Sequence, residues 1–268
     1  MVTPLERMYN MFIDILNGKL LPSARLRFDR TYLTVSEIAQ QFYCEHKLCL
    51  MYKEGKIETE EKKLGTEIHE EIFRGESVSI TELIQKVLTS KIVIATMPIV
   101  TIYEDIPIVG IPDAIIFSDG TVSHVIELKT TSRWVGKVFT CEYVQAQLYS
   151  YILKREKLSN SDVVVAILKV KRDLEIDNSV RIKLFKKVHE LSNKLLSGAE
   201  HVSLRGDRYS IHLYHYDYSI ESYLTWALGF WKMTREEYVP LSPGKCAKCE
   251  YRHLCKYAKL IMKKKITR

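Results

Sequence analysis

Residues 110–129, GIPDAIIFSDGTVSHVIELK, constrain the chain more than any other stretch. Two apolar, β-rich runs flank Asp119-Gly120, a dipeptide that signals a two-residue hairpin turn. Side chains alternate along a strand, so Glu127 and Lys129 point to one face and Leu128 to the other. Folding back at the turn sets Asp113, on the first strand, beside Glu127 on the second. Two carboxylates that close repel unless positive charge lies between them. A divalent cation supplies it. Oxygen donors suit magnesium or manganese, with the Leu128 carbonyl as a further ligand. Lys129 is then placed to hold or deprotonate a water, or to bind a phosphate oxygen. The combination is an apparatus for phosphodiester hydrolysis.

A lone Glu-x-Lys is common by chance and reads far more readily as an ion pair on a solvated sheet face. Three features favour a site. Asp113 lies within the apolar IVGIPDAIIF, where an unpaired carboxylate is costly. His69 follows GTEI in a helix expected from about Glu60 through Phe73. In QAQLYSYIL, Gln145 and Tyr149 are four residues apart and share one helix face, where they could contact a phosphate or a base. Gln147 and Tyr151 have the same spacing and remain an alternative register.

The remaining pattern is that of one compact α/β domain. With 268 residues, 46% of them hydrophobic, the chain can bury a large core. The opening MVTPLERMYNMFIDILNGKLL fits an amphipathic helix better than a signal peptide, and no run reaches membrane-spanning length. A cytoplasmic, reducing location is therefore expected, with no membrane partner and with cysteines serving as metal ligands or buried thiols. Helical spacing covers 33–52, 141–158, 180–197 and 219–239. Strands are expected over 91–103, in the hairpin, at 163–170 and over YSIHLYHYDYS at 209–219. The last would align His212, Tyr214, Tyr216 and Tyr218 on one face, either half-buried or stacking on single-stranded bases. Charge is uneven. From residue 245 onward there are nine basic residues against one acid, so the first 244 carry −1 of the total +7. A basic end around cysteines suits a polyanion or an anionic cofactor, or is a solvated tail.

The motifs GTEIH, GIPDAI, IELK and QAQLY, in that order, resemble those of the RecB-like branch of the PD-(D/E)xK nuclease superfamily. The resemblance implies a restriction-endonuclease-like fold, a mixed sheet flanked by helices. It also implies His69, Asp113 and Glu127 as ligands of Mg2+ or Mn2+, Lys129 as the catalytic lysine, and Gln145 and Tyr149 as a supporting pair. It covers most of residues 32–257. A single nuclease domain over 1–268 is expected, with a helical extension over 1–31, a core over 32–240 and a cysteine-rich basic segment over 241–268.

CAKCEYRHLC places Cys246, Cys249 and Cys255 together, with Cys44 far upstream. Spacing alone suits zinc or an iron-sulfur cluster equally. One cysteine before a RecB-like core and three after it is similar to exonuclease V and to the CRISPR-associated RecB-like exonucleases. That resemblance implies a 4Fe-4S cluster on Cys44, Cys246, Cys249 and Cys255, with Cys49 as the substitute for Cys44. Cys49 and Cys141 are otherwise expected as small buried side chains. The activity implied is exonuclease action on single-stranded DNA in repair or processing. Trimming DNA before CRISPR spacer capture is the alternative, and a DNA-binding or assembly module with an inactive site is the second. Protein partners are left open, with a single-strand-binding protein or CRISPR adaptation proteins as candidates.

Overall fold

The computed structural model describes residues 2–75, 77–132, 135–159 and 162–266, with side chains as far as Ile261. Helix α1 (Pro4–Leu16) starts at a capping box in which Thr3 and Glu6 satisfy each other's amides. A two-residue strand, β1 (Leu33–Thr34), leads into α2 (Val35–Gln41), which Thr34 and Glu37 cap in the same way. There follow α3 (Glu45–Glu54), α4 (Glu60–Ile72) and α5 (Ile80–Thr89). The strands β2 (Ile92–Ala95), β3 (Ile99–Tyr103), β4 (Ile106–Gly110), β5 (Ala114–Ser118) and β6 (Thr121–Thr131) come next. After α6 (Thr140–Arg155) and β7 (Val164–Lys171), the chain forms α7 (Asn178–Leu196), β8 (His201–Arg205) and β9 (Tyr209–Tyr214). It ends in α8 (Ile220–Trp231), α9 (Pro243–Lys248) and α10 (Lys256–Ile266).

A mixed six-stranded sheet runs β2-β5-β6-β7-β9-β8, and a smaller sheet runs β1-β4-β3. Strand alternation sorts the large sheet's side chains between two cores. Ile115, Phe117, Val125, Val165 and Ile167 face the core shared with α1, α2, α6 and α8. Ala114, Ile126, Leu128, Ala166 and Leu168 face the one shared with α4 and α7. Glu127, Lys129 and Lys169 therefore lie on the α6 side, whereas Ile68 and Ile72 of α4 pack on the other. Besides the long helical passage from β1 to β2, the chain crosses directly between the sheets at 96–98 and at 111–113. The two crossings touch, because the Thr96 hydroxyl donates to the Asp113 carbonyl at 2.6 Å.

The hairpin turns at Asp119-Gly120, both at positive φ, 48° and 82°. Ala114 pairs with Ile126, so the position before it lies level with Glu127. Several expectations need correction. Asp113 lies in the crossing, not within a strand, because the apolar run is shared between two sheets. The 91–103 stretch is likewise divided at Met97-Pro98 between the two sheets, since proline cannot donate to a ladder. The 33–52 helix is broken, with Cys44 extended (φ −174°, ψ 119°) as the cap of α3. Strand β9 stops at Tyr214, because Asp217 turns back to accept from the Ser219 amide and hydroxyl. The aromatic row is thereby dissolved: His212 is buried in the strand while Tyr218, past its end, is 74% exposed. The 219–239 helix stops at Trp231, and β8, the separate small sheet and helix α9 within the cysteine segment were not foreseen. Cys49 and Cys141 are half-buried, less enclosed than expected. The basic side chains of Lys263, Lys264, Lys265 and Arg268 lie outside the described residues.

Candidate active site

Asp113 ends the second crossing with both carboxylate oxygens in use. Oδ1 is 2.8 Å from Nδ1 of His69, and Oδ2 accepts the Leu128 amide at 2.6 Å. His69 reaches this point because Gly65, one turn earlier on α4, lets the helix lie against β6. A Cβ at Gly65 would stand 2.9 Å from the Thr130 hydroxyl. Glu127 is 3% exposed and meets Lys129 Nζ at 2.5 Å. Burial pushes the Glu127 carboxyl above its ordinary range, Lys129 opposes the shift and Asp113 adds to it. Burial works against the Lys129 charge, but Glu127, Asp113 and Glu142 outweigh it and raise the amine.

Helix α6 supplies the roof. Lys129 Nζ donates to Gln145 Oε1 at 2.8 Å, and Gln145 Nε2 donates to the Tyr149 hydroxyl at 2.9 Å. Tyr149 fits because β4 ends in glycine: a Cβ at Gly110 would come within 2.7 Å of its ring. The other register faces elsewhere. Gln147 binds the His215 carbonyl and the Asp217 amide, and the Tyr151 hydroxyl accepts from Arg155. A groove of about 340 Å³ opens beside Lys129 and Gln145, lined also by Ser36, Gln40, Tyr43 and Lys47. Two ammonium groups lie within cation–π reach of the Tyr43 ring, Lys47 at 5.1 Å and Lys245 at 5.2 Å.

Hard oxygen donors, one imidazole and a buried carboxylate neutralised only by a neighbouring lysine fit a divalent cation. Among the described residues no three His, Cys, Asp or Glu side chains are already arranged to hold one ion. His69 is turned onto Asp113, and Glu127 onto Lys129.

The second cluster joins the two ends of the core. Cys44, Cys246, Cys249 and Cys255 line one small apolar pocket, walled also by Tyr43, Lys47, Leu50, Val239, Pro240 and Tyr257. Burial raises the thiols of Cys44, Cys246 and Cys249. Four cysteines in one pocket are the kind of donor set a thiolate-bound metal group would use, although among the described residues they are not already arranged to hold an ion. Cys49 is outside this pocket. Its thiol donates to Glu237 at 3.2 Å and is raised to about 12 by burial and by that carboxylate. Around the pocket, Glu45 is fully buried and accepts from Gln41, twice from Arg235 and from the Tyr238 amide. Tyr43 donates to the Lys245 carbonyl at 3.0 Å.

Sequence reading overlooked Ser36, Tyr43 and Lys47 in the groove, and the buried pair Lys169 and Glu142 beside it. A usable signal existed for the pair: a lysine inside the apolar run VVVAILKV requires a partner.

Residues 45–256 match the family model described as the PD-(D/E)XK nuclease superfamily. No curated protein matches the chain. Among solved structures, the chain is similar to one described as "Crystal structure of SSO0001", at 14% identity, covering 94% of this chain and 98% of that one, with a TM-score of 0.47.

Proposed function

The chain belongs to the PD-(D/E)XK nuclease superfamily, whose members use divalent metals such as Mg2+ or Mn2+, and from that premise we propose a RecB-like, metal-dependent exonuclease acting on single-stranded DNA. The observation that carries the reading is the convergence of Asp113, Glu127, Lys129 and His69 at one end of a hairpin, roofed by Gln145. His69, Asp113, Glu127 and the Leu128 carbonyl would hold the cation, which polarises the phosphate and lowers the pKa of a bound water. Lys129 is the catalytic lysine: Gln145 orients its ammonium toward Glu127, ready to hold a water or a phosphate oxygen. Tyr149, fixed in the core, keeps Gln145 from rotating away. With the aromatic row of β9 dissolved, Tyr43 and its flanking lysines take its place as a base-stacking and phosphate-binding wall.

The same proposal assigns a 4Fe-4S cluster to Cys44, Cys246, Cys249 and Cys255, supported by their common pocket. It divides the chain into a helical extension over 1–31, a core over 32–240 and a cluster segment over 241–268. Among the described residues no helix is long and apolar enough to cross a membrane. The decisive assay compares end-labelled linear single strands, circular single strands and duplex, with Mg2+, Mn2+ or chelator. Progressive loss of linear single strands alone is expected, with binding that weakens steeply in salt. Equal cleavage of circles would make the protein an endonuclease, and preference for duplex would overturn the single-strand groove.

A further inference from the structure

Lys169 is 1% exposed, in the middle of the large sheet. It lies on β7 directly across from Lys129 on β6, in parallel register, so both side chains rise from the same face. Its ammonium is fully occupied. It donates to both oxygens of Glu142, at 2.9 and 2.8 Å, and to the Lys137 carbonyl at 2.6 Å. Glu142 stands one turn before Gln145 on α6, lines the same groove as Lys129, and its charge reaches Lys129. Two rungs therefore join α6 to the sheet: Glu142 to Lys169, and Gln145 to Lys129.

The rungs are unequal in chemistry. Gln145 is neutral and holds Lys129 without competing for its charge, whereas Glu142 is a carboxylate within electrostatic reach of the same ammonium. Glu142 also accepts the Phe139 amide at 2.8 Å and so helps to start α6. Left unpaired, its carboxylate would compete with Glu127 for the Lys129 ammonium. We propose that Lys169 is a positioning residue for Lys129: by engaging both oxygens of Glu142, it leaves Glu127 as the carboxylate that fixes the Lys129 ammonium. The inference rests on the reading of Lys129 as the catalytic lysine, and its test has an arm independent of cleavage.

In Lys169→Met the released Glu142 is expected to draw Lys129 away from Glu127. On linear single-stranded DNA with Mg2+, kcat should fall about tenfold or more while KM stays within about threefold, measured well below the variant's melting temperature. Adding Glu142→Gln removes the competing charge, and the double variant should return to within about threefold of the parent kcat. Lys169→Arg, which keeps the charge, should also stay near the parent. If Lys169→Met does not fold, Lys169→Gln is read in the same way. The crystal structure of the single variant without metal gives the second arm, with Lys129 Nζ expected at hydrogen-bond distance from Glu142. Lys129 still on Glu127 in that structure, or a double variant no faster than the single, would overturn the proposal. A parent protein that cuts no DNA defeats the nuclease reading, and the crystal structure then decides this one alone.

Discussion

The carboxylate site and the cysteine pocket are built on opposite plans. The first is local: Asp113, Glu127 and Lys129 lie within one hairpin and its approach, and each acid already has partners inside the protein, Glu127 in Lys129 and Asp113 in the His69 ring and the Leu128 amide. The second joins Cys44 to residues 246–255, and burial pushes the thiols of Cys44, Cys246 and Cys249 above their ordinary range. A site whose acids already have partners can fold before its metal arrives. A pocket of such thiols gains its charge, and part of its stability, only with a bound group. Losing the metal should therefore cost the hairpin site its activity and the cysteine pocket its stability.

The largest expected effect tests the first half of that contrast. Asp113→Ala or Glu127→Ala should lower Mg2+-dependent turnover on end-labelled single strands on the order of a thousandfold in protein that still folds, with Glu127→Ala also lowering the melting temperature because it strands the half-buried Lys129 ammonium. Full activity in both variants would remove the site. Next comes the cysteine pocket, which clasps the start of α3 to the C-terminal segment. Glu45→Ala leaves Arg235 and the Tyr238 amide without their carboxylate, and urea unfolding should show a loss of about 3 kcal/mol. On the proposed cluster reading, the same variant should also retain less iron and sulfide on purification than the parent. Turnover per folded molecule well above half the parent value would confirm that clasp and chemistry are separable.

A smaller effect probes the hairpin strand itself. His124 lies half-buried between Ser123 and Ser192, and burial, assisted by His189, lowers its pKa from 6.5 to about 4. The folded state thus prefers neutral imidazole, and the unfolded chain takes up the proton first as pH falls. Stability from this group is complete above pH 6.5 and drains away toward pH 4, on the order of 2 kcal/mol. His124→Gln should flatten the denaturation profile across that window. The smallest is Gly65→Ala, which must displace Thr130 and should cost about 1 kcal/mol while loosening His69 from Asp113. Unchanged metal affinity in that variant would show that α4 has slack.

Much of this was legible in the sequence because it is short-range. The Asp119-Gly120 turn, the helix from about Glu60 through Phe73 and the strand alternation of IELK all act over a few residues. The pairing of Gln145 with Tyr149 followed from helical spacing, whereas its preference over Gln147 and Tyr151 depends on which face α6 presents to the sheet. What was not legible depends on distant partners. Periodicity over 33–52 cannot register that Cys44 is extended to meet a segment about 200 residues later. The β-branched run from Lys91 to Tyr103 looks the same whether one sheet or two receives it. Strand β8 alternates exposed and half-buried positions and lacks the apolar content that announces a strand. Tyr43 and Lys47 gain their place in the groove only from the break before α3.

The stitched crossing between the sheets has a mechanical consequence. Glu127 rides wholly on the large sheet, while Asp113 sits at the joint where the chain leaves the small one, pinned to the neighbouring crossing by Thr96. The gap between the two acids is therefore the tip of a lever whose arms are whole sheets. Shear of one sheet over the other strains that gap, and the Thr96 hydroxyl, the Leu128 amide and the His69 ring together set how stiff the joint is.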